Sequence, residues 1–255
     1  MRCFCHAKKQ PLISQQFLRV ASRLLPLTNK AAILDLGCGE GKIVRELRQG
    51  GYDAYGCDFI DMKGVSDFTS DIKNSYEEGV LRTIDASPYR LPFHDNTFDY
   101  IFSSQVFEHV MDYDTTLKEI YRILKPGGLS LNMFPGRYIF IEPHVLVPMA
   151  SVIQNKLWLL FWAYLGVRNR FQRDKSAREV VALNYDYLKS HTNYLTKKQI
   201  LSYAKRYFAA SFREDVYVEM GTSGKAKIAK LIWKLFPWLP VFLSEFHTRV
   251  LVLRK

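Results

Sequence analysis

The chain has 255 residues, 48% of them hydrophobic and 24% charged, which fits one globular domain with insertions or two small ones and excludes intrinsic disorder. Lys and Arg number 36 against 25 Asp and Glu, a formal net charge of +11. That excess suits an acidic partner (nucleic acid, an anionic membrane surface or a phosphorylated substrate), although scattered basic side chains serve solubility equally well.

At the N-terminus Cys3, Cys5 and His6 cluster, but no second ligand pair follows, so a frayed terminus is expected rather than a metal site. No apolar run follows the first basic residues, so no signal peptide is predicted. With Cys38 and Cys57 the chain has four cysteines in no disulfide-framework spacing, which points to a reducing compartment. Leu12, Ile13, Phe17, Val20, Leu24 and Leu25 recur at helical spacing and predict an amphipathic helix over 12–25, ending before Pro26. Residues 31–36 are an apolar run closed by glycines, a buried strand, and helical spacing resumes over 41–49. A second strand is predicted over 52–58, a short helix with loops over 59–80, a third strand over 81–85 and a fourth over 98–103. Leu117, Ile120, Tyr121 and Leu124 share one face of a helix over 112–124, begun by the acids Asp112 and Asp114 and stopped by Lys125-Pro126-Gly127-Gly128. A fifth strand spans 129–134. Residues 138–195 break the alternation, a helix returns over 196–210, and two last strands are predicted over 212–220 and 246–254. Strands alternating with helices imply a parallel sheet covered on both faces.

The informative segment is Asp35-Leu36-Gly37-Cys38-Gly39-Glu40-Gly41, where a strand runs into a glycine-rich turn and then a helix. Glycines let a ligand approach the main chain closely, and such a turn lies at the carboxyl ends of the strands, where ligands bind. A dinucleotide fingerprint would put its third glycine at position 42, which is lysine, and no Gly-Lys-Ser/Thr phosphate loop is present. The segment resembles motif I of the class I S-adenosylmethionine-dependent methyltransferases, and the wider stretch 30–134 resembles their small-molecule group. Asp35 suits a ligand that carries an ammonium and a sulfonium but no phosphate.

The resemblance implies S-adenosyl-L-methionine as cofactor and a set of contacts to it. Asp58 ends the second strand, where the family's acid binds both ribose hydroxyls; a carboxylate accepts two hydrogen bonds side by side. Asp61 remains the alternative, and Asp58 is preferred because it directly follows the alternating strand. Asp85-Ala86 stands where the family reads adenine. Phe98-Asp99-Tyr100-Ile101 with Glu108-His109-Val110 is similar to the fourth-strand motif, and Arg122-Ile123-Leu124-Lys125-Pro126-Gly127-Gly128 to the turn before the fifth strand. The implied cofactor-binding residues are Asp35, Gly37, Cys38, Gly39, Gly41, Asp58, Phe59, Asp85, Ala86 and Ser103.

Methyl transfer is an in-line displacement on an activated donor, so the protein must position the acceptor, exclude water and, for a hydroxyl, take a proton. His144 is the leading base candidate, because Pro143 fixes the local backbone and Glu142 can orient the ring. A loop histidine bonded to its own turn is the competing reading. His109 serves as a second candidate or as a brace of the site, and His191 is third. No metal-ligand set is read from the sequence.

Residues 145–167 are largely apolar, but Pro148, Gln154, Asn155 and Lys156 interrupt them, and a span needs roughly 20 clean apolar residues. A lid over the acceptor pocket and an interfacial helix both remain open. The second apolar stretch, 228–246, sets Ile228, Leu231, Ile232 and Leu235 opposite Lys227, Lys230 and Lys234, which favours membrane-headgroup contact. Arg168, Arg170, Arg173 and Lys175 add basic charge after the first stretch.

The expected architecture is therefore α/β: a Rossmann-like, seven-stranded, mostly parallel sheet with helices on both faces and a helical lid insertion. The core is expected over 12–137 and 196–255, the lid over 138–195 and a smaller apolar insertion over 221–245. The expected activity is methyl transfer, at oxygen, to a small-molecule, glycan or lipid-linked acceptor. The expected location is cytoplasmic, with peripheral contact at the inner face of a membrane through 145–167 and 228–246 as an open option. Two rivals are weighed. A nucleic-acid methyltransferase would want an aromatic base clamp after the fourth strand, where Ser103-Ser104-Gln105-Val106 stands instead. A non-catalytic cofactor-binding module would not need an intact Asp35, Gly37, Gly39 and Asp58.

Overall fold

In the computed structural model the described residues are 13–26, 28, 30–59, 69–215, 238 and 244–255. Cys3, Cys5, His6, Leu12, Asp61, most of 228–246 and residues 216–220 lie outside them.

Nine strands and seven α-helices are described: α1 (Ile13–Leu24), β1 (Ala32–Leu36), α2 (Lys42–Gln49), β2 (Asp53–Asp58), α3 (Ser70–Glu77), β3 (Leu81–Thr83), β4 (Asp85–Ala86), β5 (Tyr89–Arg90), β6 (Phe98–Ser104), α4 (Tyr113–Ile123), β7 (Leu124–Pro135), α5 (Lys156–Tyr164), α6 (Ala177–Ser190), α7 (Lys197–Ala204), β8 (Ala209–Phe212) and β9 (Thr248–Arg254). Seven strands form one sheet in the order β3-β2-β1-β6-β7-β9-β8. The neighbours from β3 through β7 are parallel, and β9 pairs antiparallel with β7 and with β8. This is the Rossmann-like, seven-stranded, mostly parallel sheet that was expected.

The sheet is buried on both sides because successive side chains of a strand point to opposite faces. In β1, Ala32, Leu34 and Leu36 join a cluster with Leu117 and Ile120 of α4 and Ile200 of α7. Ile33 faces the other way, onto Phe17 of α1 and Val44 and Leu47 of α2. The Tyr100 hydroxyl donates to the Ala21 carbonyl at 3.1 Å and also to that of Leu25, which holds the C-terminal turn of α1 to the sheet. Asp99 accepts from the Ala32 N–H at 2.8 Å and from Lys125 Nζ at 2.7 Å, so this acid braces the end of the sheet away from the glycine turn.

Several boundaries differ from expectation. The third strand ends at Thr83 rather than 85; Asp85 and Ala86 form a small hairpin with Tyr89 and Arg90, turned by Ser87-Pro88. The helix expected over 196–210 stops at Ala204, and the strand after it is Ala209–Phe212, earlier than 212–220. The strand after α4 starts at Leu124, which pairs with Phe98; Tyr100 then pairs with Leu129, so 125–128 bulge between the two pairs.

Residues 138–195 carry α5 and α6, which pack on one another around a cluster of their own, Val145, Val147, Leu159, Ala163, Val180 and Leu188. Asn155 caps α5 through the Trp158 N–H at 2.8 Å, and a reciprocal Ser176–Glu179 box caps α6. Among the described residues no helix is long and apolar enough to cross a membrane.

Candidate active site

The order of strands reverses between β1 and β6, and the crevice beyond their carboxyl ends is where an open α/β sheet takes a ligand. The turn after β1 enters it with Gly37, Gly39 and Gly41 at φ of 81°, 51° and 70°. Two of these glycines serve packing as well. A Cβ on Gly37 would stand 2.3 Å from Val106 Cγ2, and one on Gly41 would stand 2.6 Å from Leu81 Cδ1. At Gly39 a Cβ would meet nothing within 4 Å, so this residue borders open space.

Two carboxylates flank the loop. Asp35 is buried, and burial, with Asp58 nearby as a second cause, pushes its carboxyl up to about 8. A cation beside it would offset that penalty. Asp58 accepts the Gly39 N–H at 2.7 Å on one oxygen and the Phe59 N–H at 2.7 Å on the other, and each oxygen keeps a lone pair for a diol. Phe59 is exposed, and its ring lies 5.9 Å from that of Tyr89 on the small hairpin. Asp85 and Ala86 lie exposed on that same hairpin. Ser103 is buried, its hydroxyl donates to Asn132 Oδ1 at 2.9 Å, and it pairs with Leu36 of β1 and Asn132 of β7 inside the sheet. Burial and the carboxylates of Asp35 and Asp58 push the Cys38 thiol up, and burial does the same at Cys57, so neither is a thiolate nucleophile. These residues fit a cationic nucleoside that carries no phosphate.

The glycine loop touches Val106, and the next turn of chain, Phe107–His109, carries Glu108 and His109. The insertion meets it there. Asn193 donates its N–H to the Glu108 carbonyl at 2.7 Å and its amide to the Val110 carbonyl at 2.9 Å. His109 Nδ1 lies 2.6 Å from the His191 carbonyl, and its ring stands edge-on to His144 with centroids 4.8 Å apart.

Glu142 is the fixed point of the insertion's polar centre. It is fully buried, and its oxygens receive His144 Nδ1 at 2.7 Å, the Tyr194 hydroxyl at 2.7 Å and the main-chain N–H groups of His144 and Val145 at 2.8 and 2.7 Å. Burial would raise the Glu142 carboxyl, but the bonds from His144, Tyr194 and Val145 outweigh it and hold the group below its ordinary value. At His144 burial works against the charged ring, yet the bond to Glu142 and its charge raise the imidazole above the ordinary value. His109 moves down, chiefly by burial. The bonded Nδ1 of His144 leaves its Nε2 free for chemistry.

Beside His144 lies a cavity of about 820 Å³, walled among others by Arg170, Phe171, Lys175, Tyr187 and His191. It is formed by the insertion alone, and its size is that of a small-molecule site. The structure thus brings His144, Glu142 and His109 together, with the glycine loop adjoining through Val106. His191 contributes its carbonyl, while its ring stacks on Tyr187 at 5.1 Å. The sequence places Tyr194 only in the lining of the insertion and Glu108 only in a bracing pair with His109; the Tyr194 bond to Glu142 is not legible there, since a tyrosine 52 positions from its partner carries no local signal.

Residues 34–131 match the family model described as a methyltransferase domain. The sterol 24-C-methyltransferase of Schizosaccharomyces pombe is 32% identical over 104 residues, 38% of this chain, and the chain spans 26% of that relative's length. The demethylmenaquinone methyltransferase of Symbiobacterium thermophilum is 29% identical over 204 residues, covering 73% of this chain and 68% of that one. A solved S-adenosylmethionine dependent methyltransferase from Mesorhizobium loti shares the fold at TM-score 0.53 and 18% identity, over 94% of this chain and 98% of that one. The glycine loop, Asp58, Glu108 and His109 fall inside the matched residues, whereas Glu142 and His144 fall outside.

Proposed function

We propose that this chain, a class I S-adenosylmethionine-dependent methyltransferase by fold and by family match, moves a methyl group onto a small-molecule acceptor held beside His144. The observation that carries this reading is the continuity of two sites. The loop of Gly37, Gly39 and Gly41 with Asp35 and Asp58 fits the donor, and its neighbour Val106 leads within two residues into the Glu108–His109 turn that faces His144.

Bound S-adenosylmethionine supplies a methyl group made electrophilic by its sulfonium. Asp35 offers a carboxylate to the cationic end, and Asp58 offers two oxygens to the ribose. An acceptor hydroxyl that took this methyl group would give up its proton, and His144 Nε2 is placed to receive it. Glu142 keeps the His144 ring in the tautomer that presents Nε2 as a base and stabilises the imidazolium formed. The free imidazole nitrogen favours oxygen as the methylated atom. Transfer to an activated carbon is the second reading, favoured by relatives named as C-methyltransferases.

A lipophilic or lipid-linked acceptor, met at the inner face of a membrane, is the finer proposal. It is supported by α5, where Leu157, Phe161, Tyr164 and Leu165 share one exposed face, and by Arg168 and Arg170 just beyond. The stretch 228–246, which would add lysines to the same purpose, lies almost wholly outside the described residues.

The test is calorimetry with S-adenosylmethionine and with its demethylated product, followed by mass spectrometry of candidate acceptors incubated with protein and donor. Micromolar binding and a gain of one methyl group support the reading; a folded protein that binds neither nucleoside overturns it.

A further inference from the structure

Acceptor deprotonation by His144 leaves one group of the site without a task. Glu108 is 1% exposed, and among the described residues neither of its carboxylate oxygens has a hydrogen-bond partner. Leaving a carboxyl buried and unsatisfied costs the fold its full desolvation penalty. A protein that keeps one beside two imidazoles has a reason for it elsewhere. We propose that Glu108, His109 and His144 bind one divalent transition-metal ion, through a Glu108 oxygen and the Nε2 atoms of the two histidines.

Three observations support this. The ligand atoms of the three residues lie within 4.8 Å of one another. Bonds of about 2.0–2.2 Å to a shared ion set such atoms roughly 3–4 Å apart, so about an ångström of side-chain closure completes the set. Secondly, both rings are already prepared as ligands. His109 turns Nδ1 to the His191 carbonyl and His144 turns Nδ1 to Glu142, the outer hydrogen bonds that fix a metal-binding imidazole and leave Nε2 for the ion. Thirdly, the two chain segments are tied. The Asn193 bonds to Glu108 and Val110 hold the insertion on the turn that supplies two ligands.

Two imidazoles and one carboxylate suit zinc and its transition-metal neighbours rather than magnesium or calcium, and they leave coordination positions open. This ion site rests on the same cluster as the acceptor reading. Nε2 of His144 cannot hold an ion and a proton together. A loaded protein therefore cannot use His144 as the base.

The experiment uses the full chain, stripped with a chelator and titrated with zinc chloride by calorimetry and with cobalt chloride by visible absorption. One ion per chain at micromolar Kd or tighter is expected, with a cobalt band typical of four- or five-coordinate nitrogen and oxygen ligands. Glu108→Gln and His109→Ala should each weaken zinc binding at least tenfold. If either variant fails to fold, the other, and a shift of the His109 and His144 ring signals on zinc addition to the wild type, decide the matter. Wild-type binding no tighter than that of folded variants, or zinc shifting only other histidines, overturns the site and leaves Glu108 a buried acid with no assigned task. Nucleoside binding by the same stripped protein separates the two readings: its loss sinks the methyltransferase proposal and leaves the metal result standing.

Discussion

The carboxylate of Asp58 receives the main-chain N–H of Gly39 at 2.7 Å, so the end of β2 holds the tip of the glycine loop at the edge of the open cleft. The loop's glycines differ in what surrounds them, and this separates stability from binding. A Cβ at Gly37 collides with Val106 in a left-handed backbone, whereas one at Gly39 meets only the backbone cost, about 1 kcal/mol, and points into the cleft. Gly37→Ala should lower the unfolding midpoint by several degrees, on the order of 2 kcal/mol or more. Gly39→Ala should unfold within about 4 °C of wild type yet bind S-adenosylmethionine at least tenfold more weakly. Asp58→Ala should lose at least tenfold in the same titration. Equal nucleoside affinity in wild type and Gly39→Ala would show that this loop is not the donor site.

Asp35 gives a dependence on pH. Its carboxyl titrates near 8 in the fold, because of burial and then of Asp58, and near 3.8 when exposed. The fold therefore holds a proton that the unfolded chain releases between these values. The stability this group contributes is complete below about pH 3.8 and is lost as pH rises through about 8. Glu108, pushed up to about 7 by burial, acts in the same direction. Asp35→Asn should unfold at a higher temperature than wild type at pH 9, by at least about 4 °C, with the difference shrinking toward pH 5. Binding of the cationic donor should tighten as pH rises toward 8, by up to about tenfold per unit, and Asp35→Asn should flatten that slope. Parallel slopes in the two proteins would remove Asp35 from the donor site.

Much of this was legible in the sequence because it is local. Ile33, Leu34 and Leu36 form an apolar run that ends in glycines, and strand, turn and helix follow from ten consecutive residues. Glu142-Pro143-His144 was legible as a pair for a similar reason, since a carboxylate two residues before a histidine reaches its ring in a single turn. Glu108 could not be read as the third member, because its approach to His144 depends on how 138–195 fold back onto the Phe107–His109 turn. The small hairpin at Asp85 escaped for a different reason. Leu81 to Asp85 alternates like a strand, and only the turn at Ser87-Pro88 and pairing with Tyr89 and Arg90 show that the sheet ends at Thr83. The face of α5 left open to solvent was also illegible, since that helix is apolar all round and only packing on α6 selects Leu159 and Ala163 for burial.

That open face yields a prediction of its own. Leu157 is 80% exposed and Phe161 53%, one turn apart on α5, so neither contributes much to the core. The double change Leu157→Ser with Phe161→Ser should alter the unfolding free energy by no more than about 1 kcal/mol. It should nonetheless reduce co-sedimentation with vesicles containing anionic lipid by severalfold, because apolar burial and basic attraction act together at a headgroup layer. A wild type that stays in the supernatant at low salt would end the membrane reading.

The Glu142–His144 pair makes the sharpest prediction about chemistry, and it applies to chelator-stripped protein. The base works only when His144 is neutral, and Glu142 raises the imidazole above its ordinary value, so kcat should climb as pH rises through that raised value. Glu142→Gln keeps the shape but removes the charge, so the rising limb should move to lower pH. The rate at the plateau should fall by about 10²–10⁴-fold as the ring loses its orienting partner. KM for S-adenosylmethionine should stay within about threefold, because Glu142 lies outside the matched cofactor domain. His144→Ala should cost about as much, and the double variant little more, because the two residues act as one unit. A plateau that survives either change, or a rising limb that stays in place in Glu142→Gln, would move proton transfer away from His144.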